Sequence, residues 1–245
     1  MRWIYLSPHL DDAVLSAGGL IYEQTKSGVP VEIWTLMCGY PSDDEYSPIT
    51  QSIHASWKFS SAHEAIRDRR AEDRNAAVVV GATTRHFDFL DCIYRRASNG
   101  EWLYSEIAVS PHEADAGLPS QIAEAISVQL LPDDIFVCQL AVGSHVDHVI
   151  VRQAAELLGR PLRFDIDVPY IFYKPQELET KSAGMKESVH LITEAGLKSW
   201  KEAVLAYKSQ IPTLGPEFDS AEKVHQSIQT YWSNHKGIRM FQRNE

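Results

Sequence analysis

Short apolar runs alternate with longer segments of helical periodicity along most of the chain. The runs are rich in β-branched and aromatic residues and predict strands over residues 3–6, 31–37, 86–90, 135–140 and 168–172. Between them, apolar residues at helical spacing predict helices over residues 13–26, 61–80, 119–131 and 149–158. Because strands that alternate with helices build βαβ units, we predict an α/β fold: a Rossmann-like, doubly wound, mostly parallel sheet with helices on both faces.

Three segments modify this simple alternation. Residues 93–104 carry Asn99-Gly100 between β-prone residues and predict a hairpin, while residues 38–60 are rich in Pro, Ser and Asp and predict a long loop or lid. Gly18 and Gly19 fall inside the first predicted helix, where we expect them to allow close packing against the sheet.

Because the sequence shows no linker and no internal repeat, residues 1–245 are predicted to form a single domain. A last helix, predicted over residues 221–234, can pack on this core or on a second copy of the chain. A homo-oligomer is therefore one of the possibilities that the sequence leaves.

Composition narrows the classes of function. The formal net charge of −10 argues against a nucleic-acid groove or an anionic-membrane surface, which need clustered Lys and Arg. No apolar run reaches the ~18 residues that span a bilayer, and no secretory signal precedes the first strand. The three cysteines are odd in number and show no CxxC spacing, which is typical of reduced thiols rather than of disulfides. We therefore expect a soluble cytoplasmic protein that acts on a small molecule.

Candidate chemistry begins where the first predicted strand ends, in the turn Ser7-Pro8-His9-Leu10-Asp11-Asp12. In open α/β sheets, ligands bind at this carboxyl edge. His9 and Asp12 can converge on one cation and offer the imidazole and carboxylate that zinc accepts, which leaves Asp11 free to act on a water. The alternative is that Asp11 or Asp12 only caps the helix that follows.

A second motif follows the strand predicted over residues 135–140. It reads Gly143-Ser144-His145-Val146-Asp147-His148 and precedes a predicted helix, so both strand-to-helix loops can meet at one sheet edge. Histidines at a helix start are weakly diagnostic alone. Together, the motifs supply His9, Asp12 and His148 as three ligands with room for a water, which is typical of a catalytic zinc site. Two His and one Asp also suit Fe, Co or Mn.

At these residues the chain resembles the LmbE-like, or PIG-L-like, N-deacetylases of amino sugars and pseudo-disaccharides. Their pattern Pro-His-Pro-Asp-Asp-Glu is matched by residues 8–13, and their His-x-Asp-His by residues 145–148. Leu10 and Ala13 depart from the usual Pro and Glu. Looser similarities extend over nearly the whole chain, at residues 69–72, 89–91, 167–170 and 207–210.

The resemblance implies a zinc-dependent hydrolase that removes an N-acyl group, with N-acetyl expected, from a small amino sugar or sugar conjugate. Zinc would be held by His9, Asp12 and His148, and Asp11 would be the general base. His145 would donate to the oxyanion as an imidazolium oriented by Asp147.

The resemblance also places Arg69 and Asp91 near the sugar, where a guanidinium and a carboxylate can hold hydroxyls. The alternative for Arg69 is a surface ion pair with Glu72 on its own helix.

Three other functions are weighed. A zinc amidase of a larger amide, such as a thiol conjugate, would use the same ligands. A catalytically silent sugar-binding module is disfavoured because both motifs keep their His and Asp residues. A nucleotide-binding Rossmann protein is disfavoured because the first strand-to-helix turn lacks GxGxxG.

Overall fold

The computed structural model describes residues 1–243. The strands are β1 (Trp3–Ser7), β2 (Val31–Thr35), β3 (Thr83–His86), β4 (Ile135–Gln139), β5 (Leu162–Asp165), β6 (Met185–Leu191) and β7 (Gly237–Arg243). The helices are α1 (Asp12–Lys26), α2 (Pro48–Trp57), α3 (Ala62–Val80), α4 (Leu118–Ser127), α5 (Val146–Leu157), α6 (Tyr170–Tyr173), α7 (Glu177–Lys181), α8 (Glu194–Val204) and α9 (Ala221–His235). Short 3-10 turns lie at Cys92–Tyr94, Glu113–Asp115 and Ile211–Thr213.

The strands described in this range form one sheet in the order β3-β2-β1-β4-β5-β7-β6. Strands β1 to β5 pair in parallel, and β7 pairs antiparallel with both β5 and β6. The predicted α/β class with a mostly parallel sheet is therefore confirmed. Since β1 lies between β2 and β4, the strand order reverses there, and the switch point of the sheet falls between the carboxyl ends of β1 and β4.

Apolar side chains fill the space on both faces of this sheet. On one face, α1, α3, α8 and α9 pack with the β1 residues Trp3 and Tyr5. On the other, α4 and α5 pack with the β1 residues Ile4 and Leu6. The central strands are thus buried on both sides, which is why they read as apolar runs rather than as alternating patterns.

The paired glycines of α1 pack against another helix rather than against the sheet. A methyl group added at Gly18 would lie 2.7 Å from Cδ1 of Trp200, and one at Gly19 would lie 2.6 Å from Cδ1 of Ile192. Trp200 belongs to α8 and donates its indole N–H to the carbonyls of Val14 and Leu15. The expected partner was wrong, because Trp200 of α8 and Ile192, which lies between β6 and α8, make the close approaches.

Two predicted strands were wrong in place. Residues 168–172 form no strand: after β5 the chain turns through a cis Val168-Pro169 bond into α6, and Val168 is buried in the core. The third strand lies at Thr83–His86 instead of residues 86–90. It is a half-exposed edge strand and carries no apolar run, so the apolar residues after it were mistaken for it.

The loop segments hold more structure than expected. Residues 38–60 contain α2, whose cap Ser47 accepts from Thr50 N–H and is followed by Pro48 at the first helical position. The predicted hairpin is reduced to one antiparallel bridge between Arg96 and Trp102. Strand β6 was missed, since it is exposed over nearly its whole length.

The last helix, α9, packs on the core of its own chain, which was one of the two predicted arrangements. Val224, Ile228 and Tyr231 of α9 belong to the core beneath α8. None of the helices within residues 1–243 combines the length and the apolar character that crossing a bilayer needs.

Candidate active site

The turn after β1 brings His9 and Asp12 face to face. Ser7 Oγ donates to the His9 carbonyl (2.6 Å) and accepts from Ala13 N–H (3.0 Å), which folds the chain back onto the helix start. The Asp12 carboxylate accepts from His9 N–H (2.7 Å). Asp11 stands at the N-cap position, but its side chain accepts no capping hydrogen bond from the described helix. A capping role for the Asp11 side chain is therefore wrong.

The second motif lies at the start of α5, which begins three residues earlier than predicted and carries His148 in its first turn. The preceding loop is unusual in having Ala141, Gly143 and Ser144 all at positive φ. Two carboxylates hold it: Asp167 accepts from Val142 N–H and Glu177 from Gly143 N–H, each at 2.9 Å. These bonds fix the direction in which His145 leaves the loop.

The two motifs meet at Asp12. Its Oδ2 lies 3.2 Å from Nδ1 of His9 and 3.4 Å from Nε2 of His148. Two ligands of a tetrahedral zinc at 2.0–2.1 Å lie roughly 3.3 Å apart, so these separations suit one shared ion. Nε2 of His148 is also buried without a hydrogen-bond partner in residues 1–243. An orphaned nitrogen beside a carboxylate and a second imidazole fits a metal ligand.

A carboxylate behind each histidine sets its tautomer. Nδ1 of His148 lies 2.9 Å from Asp167 Oδ1, and Nε2 of His9 lies 3.0 Å from Asp147 Oδ2. With a metal bound, each ring would keep its proton on the nitrogen that faces its carboxylate and would present the lone pair of its other nitrogen to the ion beside Asp12. Carboxylates in this position are a usual feature of histidine-ligated metals, because they orient the ring and raise its basicity.

Asp147 serves His9 rather than His145. Its Oδ2 also accepts from Cys92 N–H (2.9 Å), and its Oδ1 lies 2.6 Å from Nη2 of Arg95. Burial alone raises the pKa of the Asp147 carboxyl, but the Arg95 charge and the bond with His9 hold it well below its usual range. Asp147 was expected to orient His145; its backbone N–H does contact the His145 ring, whereas its carboxylate points to the opposite motif.

His145 is a neutral donor in this setting. Burial lowers the pKa of His145 well below its usual value. Its Nδ1 accepts from Asp147 N–H (3.2 Å), which requires the ring proton to be on Nε2. The expected imidazolium is therefore replaced by a neutral imidazole that still offers one N–H.

Asp11 and Arg69 lie side by side in the same cluster as His9 and Asp12. Burial and the Asp12 charge raise the pKa of Asp11 to about 6, although the Arg69 charge lowers it. Nη2 of Arg69 is 3.7 Å from Asp11 Oδ2, and the guanidinium lies 4.4 Å from the ring centroid of Trp57. The alternative of a surface pair with Glu72 was wrong, because Glu72 accepts from Ser209 instead.

A cavity of about 450 Å³ opens over this cluster, within the range of small-molecule sites. Six of the eight predicted site residues line it, namely His9, Asp11, Asp12, Arg69, Asp91 and His145, while Asp147 and His148 lie behind the wall. The rest of the wall is largely apolar and includes Leu15, Ile53, Trp57, Ile93, Ile107, Tyr170, Tyr173 and Leu214. A polar, charged floor thus lies beneath aromatic and aliphatic side chains, most of which are partly exposed.

Sequence reasoning missed three residues that complete the cluster. Asp167 holds His148, and Tyr170 forms part of the wall; both fall in the segment 167–170 that resembled the deacetylases, so a signal was present without a role. Arg95 neutralises Asp147 from a loop with no motif, and nothing in the sequence singled it out.

Comparisons with known proteins agree with this geometry. The profile of the family described as PIG-L, GlcNAc-PI de-N-acetylase, matches residues 4–158. The 2'-N-acetylparomamine deacetylase of Niallia circulans is 23% identical over 244 residues, covering 85% of this chain and 80% of that protein. The zinc-inhibited form of teicoplanin deacetylase Orf2 superposes with a TM-score of 0.84 at 28% identity, over 99% of this chain and 97% of that one. The A40926 pseudoaglycone deacetylase Dbv21 gives a TM-score of 0.76 at 28% identity, over 99% and 96%.

Proposed function

The chain belongs to the GlcNAc-PI de-N-acetylase (PIG-L) family, and from that premise we propose that it removes the N-acetyl group of a small amino-sugar conjugate with the help of a zinc ion. Membership and the deacetylase relatives confirm the family and the N-deacetylase class predicted from the two motifs. The observation that carries the proposal is the convergence of His9, Asp12 and His148 beside the free carboxylate of Asp11, at the floor of a cavity of small-molecule size.

The metal is the cofactor of this proposal. His9, Asp12 and His148 would hold it, with Asp147 and Asp167 fixing the two rings. A zinc ion there would act as a Lewis acid toward the acyl carbonyl and the attacking water. One relative is described in a zinc-inhibited form, so metal loading has to be varied rather than saturated when activity is tested.

Asp11 carries the proton in this reaction. As a carboxylate it takes a proton from the water that attacks the acyl carbon, and after attack it passes this proton to the nitrogen as the C–N bond breaks. Amine and acetate are the products. Arg69, at 3.7 Å, favours the ionised form of Asp11 and opposes the burial that raises the pKa to about 6.

His145 supports the charge that forms on the acyl oxygen. Its Nε2–H lies in the cavity wall, and its ring centroid is 4.7 Å from that of His9 and 5.1 Å from that of His148. A neutral imidazole fixed by the Asp147 N–H can donate without first changing its protonation state.

Asp91 and Arg69 are proposed to hold the sugar. Both line the cavity next to Asp11, and the Nε of Arg69 is buried without a hydrogen-bond partner in the described chain. The substrate would place its hydroxyls on this polar floor and its remaining part along the apolar wall. Deacetylases that act on teicoplanin or on 2'-N-acetylparomamine are among the relatives, which supports a sugar conjugate as the substrate class.

The test compares wild type with Asp11→Asn on a panel of N-acetylated sugars and glycosides at graded zinc loading. We expect free-amine release to fall by ~10² to 10⁴ in the variant with its metal retained. Asp133→Asn, an exposed carboxylate at the amino end of β4, is the matched control and should keep its rate. Since the base must be ionised, wild-type activity should fall as pH drops, with the acid limb at or below about 6.

Other outcomes separate the alternatives. Turnover of larger N-acyl conjugates without any N-acetyl sugar would favour the zinc amidase. Metal bound with no turnover of any amide would favour the silent binding module. An Asp11→Asn variant with full activity would contradict the proposed mechanism outright.

A further inference from the structure

Helix α6 places two tyrosines in the wall of the catalytic cavity, and their hydroxyls differ. The hydroxyl of Tyr173 donates to the Leu214 carbonyl at 2.6 Å. The hydroxyl of Tyr170 has no hydrogen-bond partner within residues 1–243 and is not fully buried, and Tyr170 lines the cavity, so this hydroxyl is open to a ligand there. One phenol is committed to the wall, whereas the other is available to a ligand.

The ring of Tyr170 is held firmly enough to aim this hydroxyl. It packs edge-on against His148, with ring centroids 5.3 Å apart and planes at 84°. It also lies over Gly143, where a methyl group would overlap the ring. Gly143 has a φ of 89° and its N–H is bound to Glu177, so the surface beneath the ring is fixed as well.

The position of Tyr170 matters because of what lies around His148. His145 lies on His148 with ring centroids 5.1 Å apart, and Tyr170 contacts the same ring at 5.3 Å. Both residues line the cavity with Asp11 and Asp12. Two uncommitted donors, one N–H and one O–H, therefore border the metal ligand that faces Asp12.

A phenol at neutral pH is a neutral donor, which is what a forming oxyanion requires. In acyl transfer, donors arranged in advance around the carbonyl oxygen stabilise the transition state more than the ground state, and removing one such donor lowers the rate by ~10² to 10³.

We propose that Tyr170 is a catalytic residue whose hydroxyl donates a hydrogen bond to the acyl oxygen of the substrate as that oxygen becomes negative, together with the donor of His145. This rests on the proposed N-deacetylation. It assigns Tyr170 to the reacting carbonyl and Tyr173 to the shape of the cavity wall.

The test is a pair of substitutions that each remove one oxygen atom. Tyr170→Phe should lower kcat by ~10²-fold with KM within about threefold of wild type, since the bond forms only in the transition state. Tyr173→Phe breaks the bond to Leu214 and should act mainly on KM through the wall. Zinc content and thermal midpoint should match wild type in Tyr170→Phe.

Binding supplies a readout that does not depend on turnover. A methylphosphonamidate analogue of the substrate, which mimics the tetrahedral adduct, should bind ~10²-fold more weakly to Tyr170→Phe than to wild type. The uncleaved N-acetyl substrate should bind both proteins about equally.

The outcomes are distinct from those of the proposed function. Wild type that releases no amine from any substrate overturns both. Wild type that turns over while Tyr170→Phe keeps its kcat overturns the role of Tyr170 alone. Loss of zinc together with activity in Tyr170→Phe would also overturn it, because the residue would then act by packing on His148.

Discussion

The centre of the sheet and its β6 edge are built on different principles. At the centre, β1 is buried along all five of its residues, and the loops after β1 and β4 hold the polar cluster. At the far edge, β6 pairs only with β7 among the described strands and is exposed along most of its length. The buried strands and the residues of the candidate site thus lie together at the centre of the sheet. The β6 edge is mostly exposed and holds none of these residues.

The difference has a physical origin in strand direction. Parallel neighbours put their carboxyl ends at one edge, so the loops after β1 and β4 converge on the same point. The antiparallel β6–β7 pair sends its ends to opposite edges and can bring no two loops together in this way. The polar side chains of the candidate site therefore lie together at the switch point. The buried strands and helices around them hold these side chains in fixed positions.

The largest effect is expected from removing one of the proposed metal ligands at the centre of the sheet. His148→Ala should abolish zinc binding and amine release, because only two of the three proposed ligands remain and Asp167 loses its partner. Metal content by elemental analysis and a rate assay provide the measurement. His225→Ala, an exposed histidine on α9, is the control and should bind zinc as wild type does. Tight zinc binding by His148→Ala would rule out this ligand set.

Matched leucines test the burial half of the comparison. Leu6→Ala on β1, where the side chain is 1% exposed, should lower the free energy of unfolding by ~2–5 kcal/mol. Leu191→Ala on β6, where it is 73% exposed, should change it by less than about 0.5 kcal/mol. Denaturant titration of both variants measures the difference. Equal losses would mean that the β6 edge is covered in solution.

A smaller effect is expected one step away from the metal ligands. Asp167→Asn keeps an acceptor for Nδ1 of His148 but replaces the oxygen that faces Val142 N–H by an amide that cannot accept. Zinc affinity, measured by competition with a chelator, should weaken ~10- to 100-fold. Asp133→Asn, at the opposite end of the sheet, should leave it unchanged. If Asp167→Asn kept full zinc affinity, the orienting role of Asp167 would be refuted.

The central strands were predictable for the same reason that they are stable. Double burial makes β1, β2 and β4 apolar along their length, and helices that face this sheet keep a clear periodicity. Prediction failed at the edges. β3 and β6 are partly exposed and lack an apolar run, and residues 168–172 are apolar because they pack around the site rather than because they form a strand.

The residues of the candidate site also fall into a group that could be predicted and a group that could not. Local motifs pointed to His9, Asp11, Asp12, His145 and His148, since each sits in a strand-to-helix loop whose spacing carries chemical meaning. Their partners come from distant segments. Arg95 and Asp167 are recognisable only once the fold places them against Asp147 and His148.

The sequence by itself determined the fold class, the family and the kinds of atoms at the site, because these depend on periodicity and on residue types at short spacing. Only the tertiary structure decided which carboxylate serves which histidine. Asp147 lies two residues from His145, yet its side chain faces His9, 138 residues away. Neighbours in the chain share a backbone, but the direction of a side chain at a helix start is set by what packs around it, and here that is Arg95 and the opposite loop.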